Sequence, residues 1–315
     1  MALERFGRIA ALRIACIGEC MIELSDAPDR MTRSFGGDTL NTAVYAARVG
    51  AKSNVSVDYV TALGDDPYSD EMLAAWRSEG IGVDHVRRDP GAAPGLYMIR
   101  TAAAGERSFH YWRDQAPAKR LFDGPAGHRL AEMLSSYDWL YFSGITLGVL
   151  TLEGRIAFFD ALRRASQAGA RIVYDSNYRP RLWEDAGEAR AANEVALGWA
   201  DIALPSFDDE QTLYGDRTPA AAAERIARLG PEEVVVKNGS ADAAIRANGI
   251  ARPFAPTVHP APVDTTAAGD SFNAAYMVAR VMGSDPMASA TAGAVLASHV
   301  VGARGAIIDR AEMPQ

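Results

Sequence analysis

At 315 residues, with 48% hydrophobic and 23% charged residues, the chain suits one enzyme-sized globular core and has no disordered-tail composition. A formal charge of -8 excludes a broad nucleic-acid or anionic-membrane surface, which needs clustered Lys and Arg, so an anionic ligand has to be met locally. Arg8 and Arg13 interrupt what an export signal would need as its apolar core, and the most apolar later run, 139–150, is too short to span a bilayer, so a cytoplasmic protein is expected.

In chain order, the apolar run 13–18 reads as a first buried strand. Cys16 and Cys20, the only cysteines, fall four apart in that apparent strand, on one face, and are expected as buried thiols rather than a disulfide. The segment 19–37 reads as short strands with turns and 39–50 as a helix. The pattern then alternates: strand 54–64, helix 70–80, strand 139–144, helix 153–169, strand 170–177, helix 188–200, strand 200–206, helix 219–230, strand 232–239. Most strands end in Gly, Ser or Asp, and several helices close on Gly. Only 94–114 breaks the rhythm again, as a hairpin around Ala104-Gly105. Alternating strand and helix predicts a parallel sheet covered on both faces, with ligands at the carboxyl ends of its strands.

Several chemistries are absent. The chain has no G-x-x-x-x-G-K-[ST] loop, no G-x-G-x-x-G fingerprint, no H-E-x-x-H helix and no G-x-S-x-G elbow. Its five histidines, at 85, 110, 128, 259 and 299, show no ligand spacing with the cysteines, and His299 reads as a packing or pocket-wall residue.

The stretch DTTAAGDSFNAAY, 264–276, carries the most chemistry. A helix N-terminus offers unpaired N–H groups and the positive end of its dipole, and small residues let an anion approach them. The amides of Ala267, Ala268, Gly269 and Asp270 would surround charge on a transferred phosphoryl group, while the Asp270 carboxylate accepts a proton from the attacking hydroxyl. Taken alone, the same stretch serves equally as a helix start with Asp264 or Thr266 as its cap.

In its wider setting, VDTTAAGDSFNAAYM resembles the second signature of the ribokinase-like (PfkB) carbohydrate kinases. FGGDTLNTAVYAARVG, 35–50, is similar to the first signature, VVVKNG, 234–239, to the strand and loop beside the nucleotide, and YDSNYR, 174–179, to the D-x-N-x-R element. The resemblance spans nearly the whole chain. It implies an α/β fold: a ribokinase-like three-layer sandwich with a mostly parallel central sheet and a small β-sheet lid. One kinase domain over 1–315 is expected, with lid segments at about 19–37 and 94–114.

Four stretches are similar to the 2-keto-3-deoxygluconate kinases within that family: GECMIEL (18–24), PGLYMIRTAAAGERSFHYWR (94–113), DSNYRPRLW (175–183) and VVGARGAII (300–308). A 2-keto acid brings a carboxylate, for which guanidinium is the best-matched side chain. By resemblance, Gly36, Gly37, Asn41, Tyr97, Tyr111, Arg113 and Arg179 would bind the sugar acid. Tyr97 and Tyr111 also fit plain packing of the lid sheet, and Arg113 fits a solvated edge charge. Asn177, Ser206, Lys237, Gly239, Asp242 and Gly269 would serve ATP. Asp209 would reach Mg2+ through water.

The chain departs from the family pattern in three places. AAGD stands for GAGD, a change expected to be harmless because one methyl leaves the amides available. SFDD at 206–209 replaces N-x-x-E near the magnesium site, and Ala306 stands where some relatives carry Asp after the tail's RG. The resemblance leaves open a monovalent cation near Asp264 and the 300–305 loop, and a homo-oligomer through the lid strands. The rivals are another kinase of the fold, such as a fructokinase or ribokinase, and a non-catalytic sugar or nucleotide sensor.

Overall fold

The computed structural model describes residues 11–27, 30–101 and 107–314; the expected turn at Ala104-Gly105 lies outside them, as does Arg8. The chain opens with β1 (Leu12–Ile17), β2 (Met21–Ala27), β3 (Arg30–Gly36), α1 (Asp38–Gly50), β4 (Val55–Val60), β5 (Ala62–Gly64), α2 (Pro67–Ser78) and β6 (Arg87–Asp89). It continues through β7 (Leu96–Thr101), β8 (Arg107–Trp112), α3 (Gly124–Met133), β9 (Trp139–Ser143), α4 (Gly144–Val149), α5 (Leu152–Gln167), β10 (Arg171–Asp175) and α6 (Ala186–Trp199). The last part is β11 (Ile202–Ala203), α7 (Phe207–Tyr214), α8 (Pro219–Ala227), β12 (Glu233–Val236), β13 (Ala243–Ala247), β14 (Ile250–Phe254), α9 (Ala268–Val281) and α10 (Pro286–Val300).

Among the described residues eight strands form the main sheet, in the order β14-β13-β12-β11-β10-β9-β1-β4. Neighbours from β12 to β4 pair in parallel; β13 runs opposite to both its neighbours. The β13–β14 hairpin was not among the expected elements. It turns on Asn248 and Gly249, both at positive φ (51° and 76°), the conformation that favours Asn-Gly in two-residue hairpins. Counting apolar runs passes over this turn signal. The expected strand 54–64 is also divided: β4 belongs to the main sheet, while β5 pairs with β6 in a separate ribbon.

Period-two alternation puts each buried strand in contact with two layers of helix. Ile14, Cys16, Tyr141, Val173 and Val235 face α1, α2, α9 and α10, whereas Ala15, Ile17, Leu140, Phe142, Ile172 and Val234 face α3, α5, α6 and α8. Each large apolar side chain fully buried in these layers contributes about 1.5–3 kcal/mol. Cys16 and Cys20 are free and buried, as expected, but they do not share a strand: β1 ends at Ile17 and Cys20 lies in the turn before β2.

A second, four-stranded sheet has the order β3-β2-β7-β8, with β2 and β7 parallel and the other pairs antiparallel. Met31, Phe109, Tyr111 and Trp112 are exposed on it. Among the described residues no helix is long and apolar enough to cross a membrane.

Candidate active site

The parallel strands carry their functional residues to one edge. β10 ends at Asp175, the loop after it holds Asn177, β12 delivers Lys237, and α1 and α9 begin beside them with Asp38 and Asp270. Neither helix has a side-chain cap, nor does α7 at Ser206, whereas α2, α6, α8 and α10 open on Asp66, Asp185, Thr218 and Asp285 as caps. Uncapped starts leave N–H groups for a ligand. In α9 the Ala268 N–H is taken by the Thr265 carbonyl at 3.2 Å, so of the four expected amides Ala268 is spent internally, while those of Ala267, Gly269 and Asp270 have no backbone partner among the described residues.

Asp264 and Thr266 do not cap α9. The Asp264 carboxylate instead accepts from Thr266 N, Thr266 Oγ1 and Gly305 N, tying the turn to the C-terminal loop. That turn brings Ala267 to φ 60°, ψ 13°, the left-handed region, as the residue before the helix. The expectation that AAGD is harmless is corrected on this point: the methyl of Ala267 costs about 1 kcal/mol in a conformation that glycine adopts freely.

Around Asp270 the side chains form one network. Asn41 Nδ2 donates to Asp270 Oδ2 at 2.8 Å, and Asn177 Nδ2 donates to Asp38 Oδ2 at 2.8 Å. Lys237 Nζ lies 2.9 Å from Asp175 Oδ2 and 2.9 Å from Asn273 Oδ1, and Asn273 Nδ2 donates to Asp175 at 2.7 Å. The same ammonium would stand 3.4 Å from a Cβ on Gly269, so cation and helix start face one space. With one cation among three carboxylates, Asp270 is pushed up to about 8, first by burial and then by Asp38 and Asp175, against Asn41 and Lys237, which pull it down. Asp38 is raised too, chiefly by burial.

The pfkB family carbohydrate kinase profile matches residues 11–313. The chain belongs to that family. Over 304 residues this pfkB kinase is 41% identical to a Dickeya dadantii (strain 3937) protein named 2-dehydro-3-deoxygluconokinase, covering 96% of this chain and 98% of that one. The PfkB protein from Polaromonas sp. JS666 superposes with a TM-score of 0.81 at 25% identity, over 96% of this chain and 99% of that one. A putative ribokinase II from E. coli, in complex with ATP and Mg2+, superposes at 0.80 and 21% identity, over 94% of each chain, which shows likeness of fold.

The other expected site residues of the pfkB kinase fall into two groups. Tyr97 and Tyr111 stack at 5.7 Å on the small sheet, and the Tyr97 hydroxyl donates to Glu23. Gly36 makes room for that hydroxyl, since a Cβ there would meet it at 2.2 Å. Gly37, the residue before α1, lies against the Glu19 carbonyl, and Arg113 pairs with Glu19. On the other side Arg179 is half exposed, donating to the Tyr178 carbonyl at 2.8 Å and to Asp209 at 3.4 Å. Asp209 is pushed up to about 6, chiefly by burial, with Arg179 pulling it down. Ser206 and Lys237 adjoin across a parallel bridge. Gly239, at φ 57°, and Asp242 are exposed beyond it, and Asp242 lines a hollow of about 200 Å3 with Thr218 and Pro253 instead of joining the Lys237 network. His299 is exposed, with its Nδ1 2.8 Å from the Val295 carbonyl of its own helix.

Sequence reasoning missed Glu19, Glu23, Asp38, Asp175 and Asn273 as members of the site. Asn273 had a signal: it lies three residues after Asp270, on one helix face. Asp38 and Asp175 stood inside motifs already singled out. Glu19 and Glu23 also stood inside a stretch singled out, GECMIEL, but their partners Arg113 and Tyr97 lie far along the chain and only the small sheet brings them together.

Proposed function

We propose that the protein transfers the γ-phosphoryl group of ATP to the terminal hydroxyl of 2-keto-3-deoxygluconate, giving the 6-phosphate and ADP. The observation that carries this reading is the 41% identity over 96% of the chain to a protein named for that activity. Asp270 receives the proton of the attacking hydroxyl, held toward it by Asn41. The free N–H groups of Ala267, Gly269 and Asp270 and the Lys237 ammonium face the charge that develops on the transferred group. Asn177, Ser206, Gly239 and Asp242 border the nucleotide. Arg113 and Arg179 bind the carboxylate, with Gly36, Gly37, Tyr97 and Tyr111 shaping the sugar site.

Magnesium prefers hard oxygens, one or two carboxylates and several waters, and Asp209 offers such an oxygen beside the Ser206–Lys237 strand ends, so the residues fit it. When bound with ATP, the ion neutralises phosphate charge. The small sheet serves as a lid, over segments 19–37 and 94–114 of a single domain, that excludes water competing with the sugar hydroxyl. The same reading extends to a monovalent cation beside Asp264 and the 300–305 loop, to a homo-oligomer through the exposed small-sheet residues, and to the cytoplasm as its compartment.

ADP release measured with a panel of sugars and sugar acids tests the reading. Turnover of 2-keto-3-deoxygluconate well above fructose and ribose is expected. A preference for a neutral sugar overturns the substrate, and no ADP release with any member overturns the kinase mechanism. Arg113→Ala is expected to raise KM for the keto acid and leave KM for ATP in place; an unchanged acid KM overturns carboxylate binding at that residue.

A further inference from the structure

The stretch that enters the small sheet ahead of β2 and the one that leaves it after β8 meet at an ion pair. Glu19, in the turn between β1 and β2, is 3% exposed, and the Arg113 guanidinium, just past β8, donates to its Oε2. Each partner keeps one buried atom without a hydrogen bond among the described residues, Glu19 Oε1 and Arg113 Nε. Gly95 closes over the pair: a Cβ there would stand 3.1 Å from Glu19 Oε1 and 3.2 Å from Arg113 Cβ. Gly37 packs on the other side of the turn, where a Cβ would meet the Glu19 carbonyl at 2.2 Å. Gly95 therefore leaves room for the carboxylate and the start of the arginine side chain, and Gly37 for the turn that carries Glu19.

A half-satisfied buried pair is costly to maintain, and a packed apolar wall of the same volume would cost less. We propose that Glu19 is a positioning residue for acid specificity, anchoring Arg113 so that the guanidinium's remaining N–H groups meet the substrate carboxylate. This rests on the reading of Arg113 as a carboxylate ligand. The contact with Glu19 uses one guanidinium nitrogen, and the planar group has further donors in fixed directions. An arginine already held by a buried carboxylate loses its rotamer freedom on folding, so binding does not have to order it. The buried Glu19 carboxylate also balances the guanidinium's charge when the site is empty.

Kinetics of Glu19→Gln, Glu19→Asp, Arg113→Ala and the Glu19→Gln/Arg113→Ala pair test the proposal, with a thermal melt for each variant. Glu19→Gln is expected to raise KM for 2-keto-3-deoxygluconate about tenfold, the scale of one charge-assisted hydrogen bond, with kcat and KM for ATP nearly unchanged. Glu19→Asp, which keeps the charge but withdraws it, is expected to fall between wild type and Glu19→Gln. The double variant is expected to match Arg113→Ala alone, because Glu19 acts through Arg113. A Glu19→Gln acid KM within twofold of wild type overturns the proposal, as does an effect that multiplies fully with that of Arg113→Ala. If Glu19→Gln does not fold, an acid KM for Glu19→Asp equal to wild type overturns it. An unchanged acid KM in Arg113→Ala overturns the carboxylate reading itself, whereas a raised one beside an unaffected Glu19→Gln overturns the role of Glu19 alone.

Discussion

Asn41 on α1 donates its side-chain amide to Asp270 on α9 at 2.8 Å, across 229 positions of chain. The bond favours the ionised carboxylate, the form that accepts a proton, and it aims the carboxylate from a second helix. Asn41→Ala is expected to lower kcat by about 10- to 100-fold, the worth of a hydrogen bond to a charged group. Because Asn41 pulls the Asp270 pKa down, its removal is expected to move the acid limb of the kcat/KM profile to higher pH. An unmoved limb would show that the amide is not acting on Asp270.

Asp270 itself links activity and stability to pH in opposite senses. With its pKa pushed up to about 8, kcat/KM at subsaturating nucleotide is expected to rise as pH increases toward that value. Stability goes the other way. The folded protein binds the Asp270 proton more tightly than the unfolded chain, where the pKa is about 3.9, so this contribution is complete below about pH 4 and is lost as pH rises through about 8. Asp270→Asn is expected to reduce turnover by about 100- to 10,000-fold. The variant is also expected to melt above wild type at pH 9 but not at pH 4; parallel melting curves across that range would refute the linkage.

Ala267→Gly isolates the cost of the left-handed residue before α9. Relief of about 1 kcal/mol is expected, partly offset by the greater freedom of glycine in the unfolded chain, and a gain of about 2 °C in Tm is the upper end. A lower Tm, or a loss of activity, would show that the methyl packs favourably or shapes the turn.

Lys237→Met removes the cation between Asp175 and Asn273. Asp175 is 3% exposed, so leaving its charge without a partner is expected to destabilise the protein by about 3–5 kcal/mol. KM for ATP is expected to rise more than KM for the sugar acid. Equal rises in both would argue that Lys237 supports the fold without facing the phosphates.

Much of the fold was legible because buried parallel strands and amphipathic helices carry local periodicity, as at 139–144 and 153–169. The β13–β14 hairpin was missed because its strands are short and one is largely exposed, although Asn248-Gly249 marks the turn. In the site, Asp270, Asn41, Asn177 and Lys237 stood in motifs whose residues are close in sequence. Glu23 meets Tyr97 through pairing between β2 and β7, 74 positions apart, and Glu19, ahead of β2, meets Arg113, past β8, 94 positions apart; which residues pair over such separations is set by the folded sheet.

By itself the sequence determined the alternation of strand and helix, the small residues ahead of Asp270 and the absence of a phosphate-loop lysine motif, since each depends on neighbours along the chain. Only the tertiary structure decided which amides stay free, where Ala267 is strained, and that Lys237 pairs with Asp175 and acts on Asp270. It also decided that Arg113 meets a buried carboxylate rather than solvent. Charge and burial act through space, and the folded strands set distances that sequence separation leaves open.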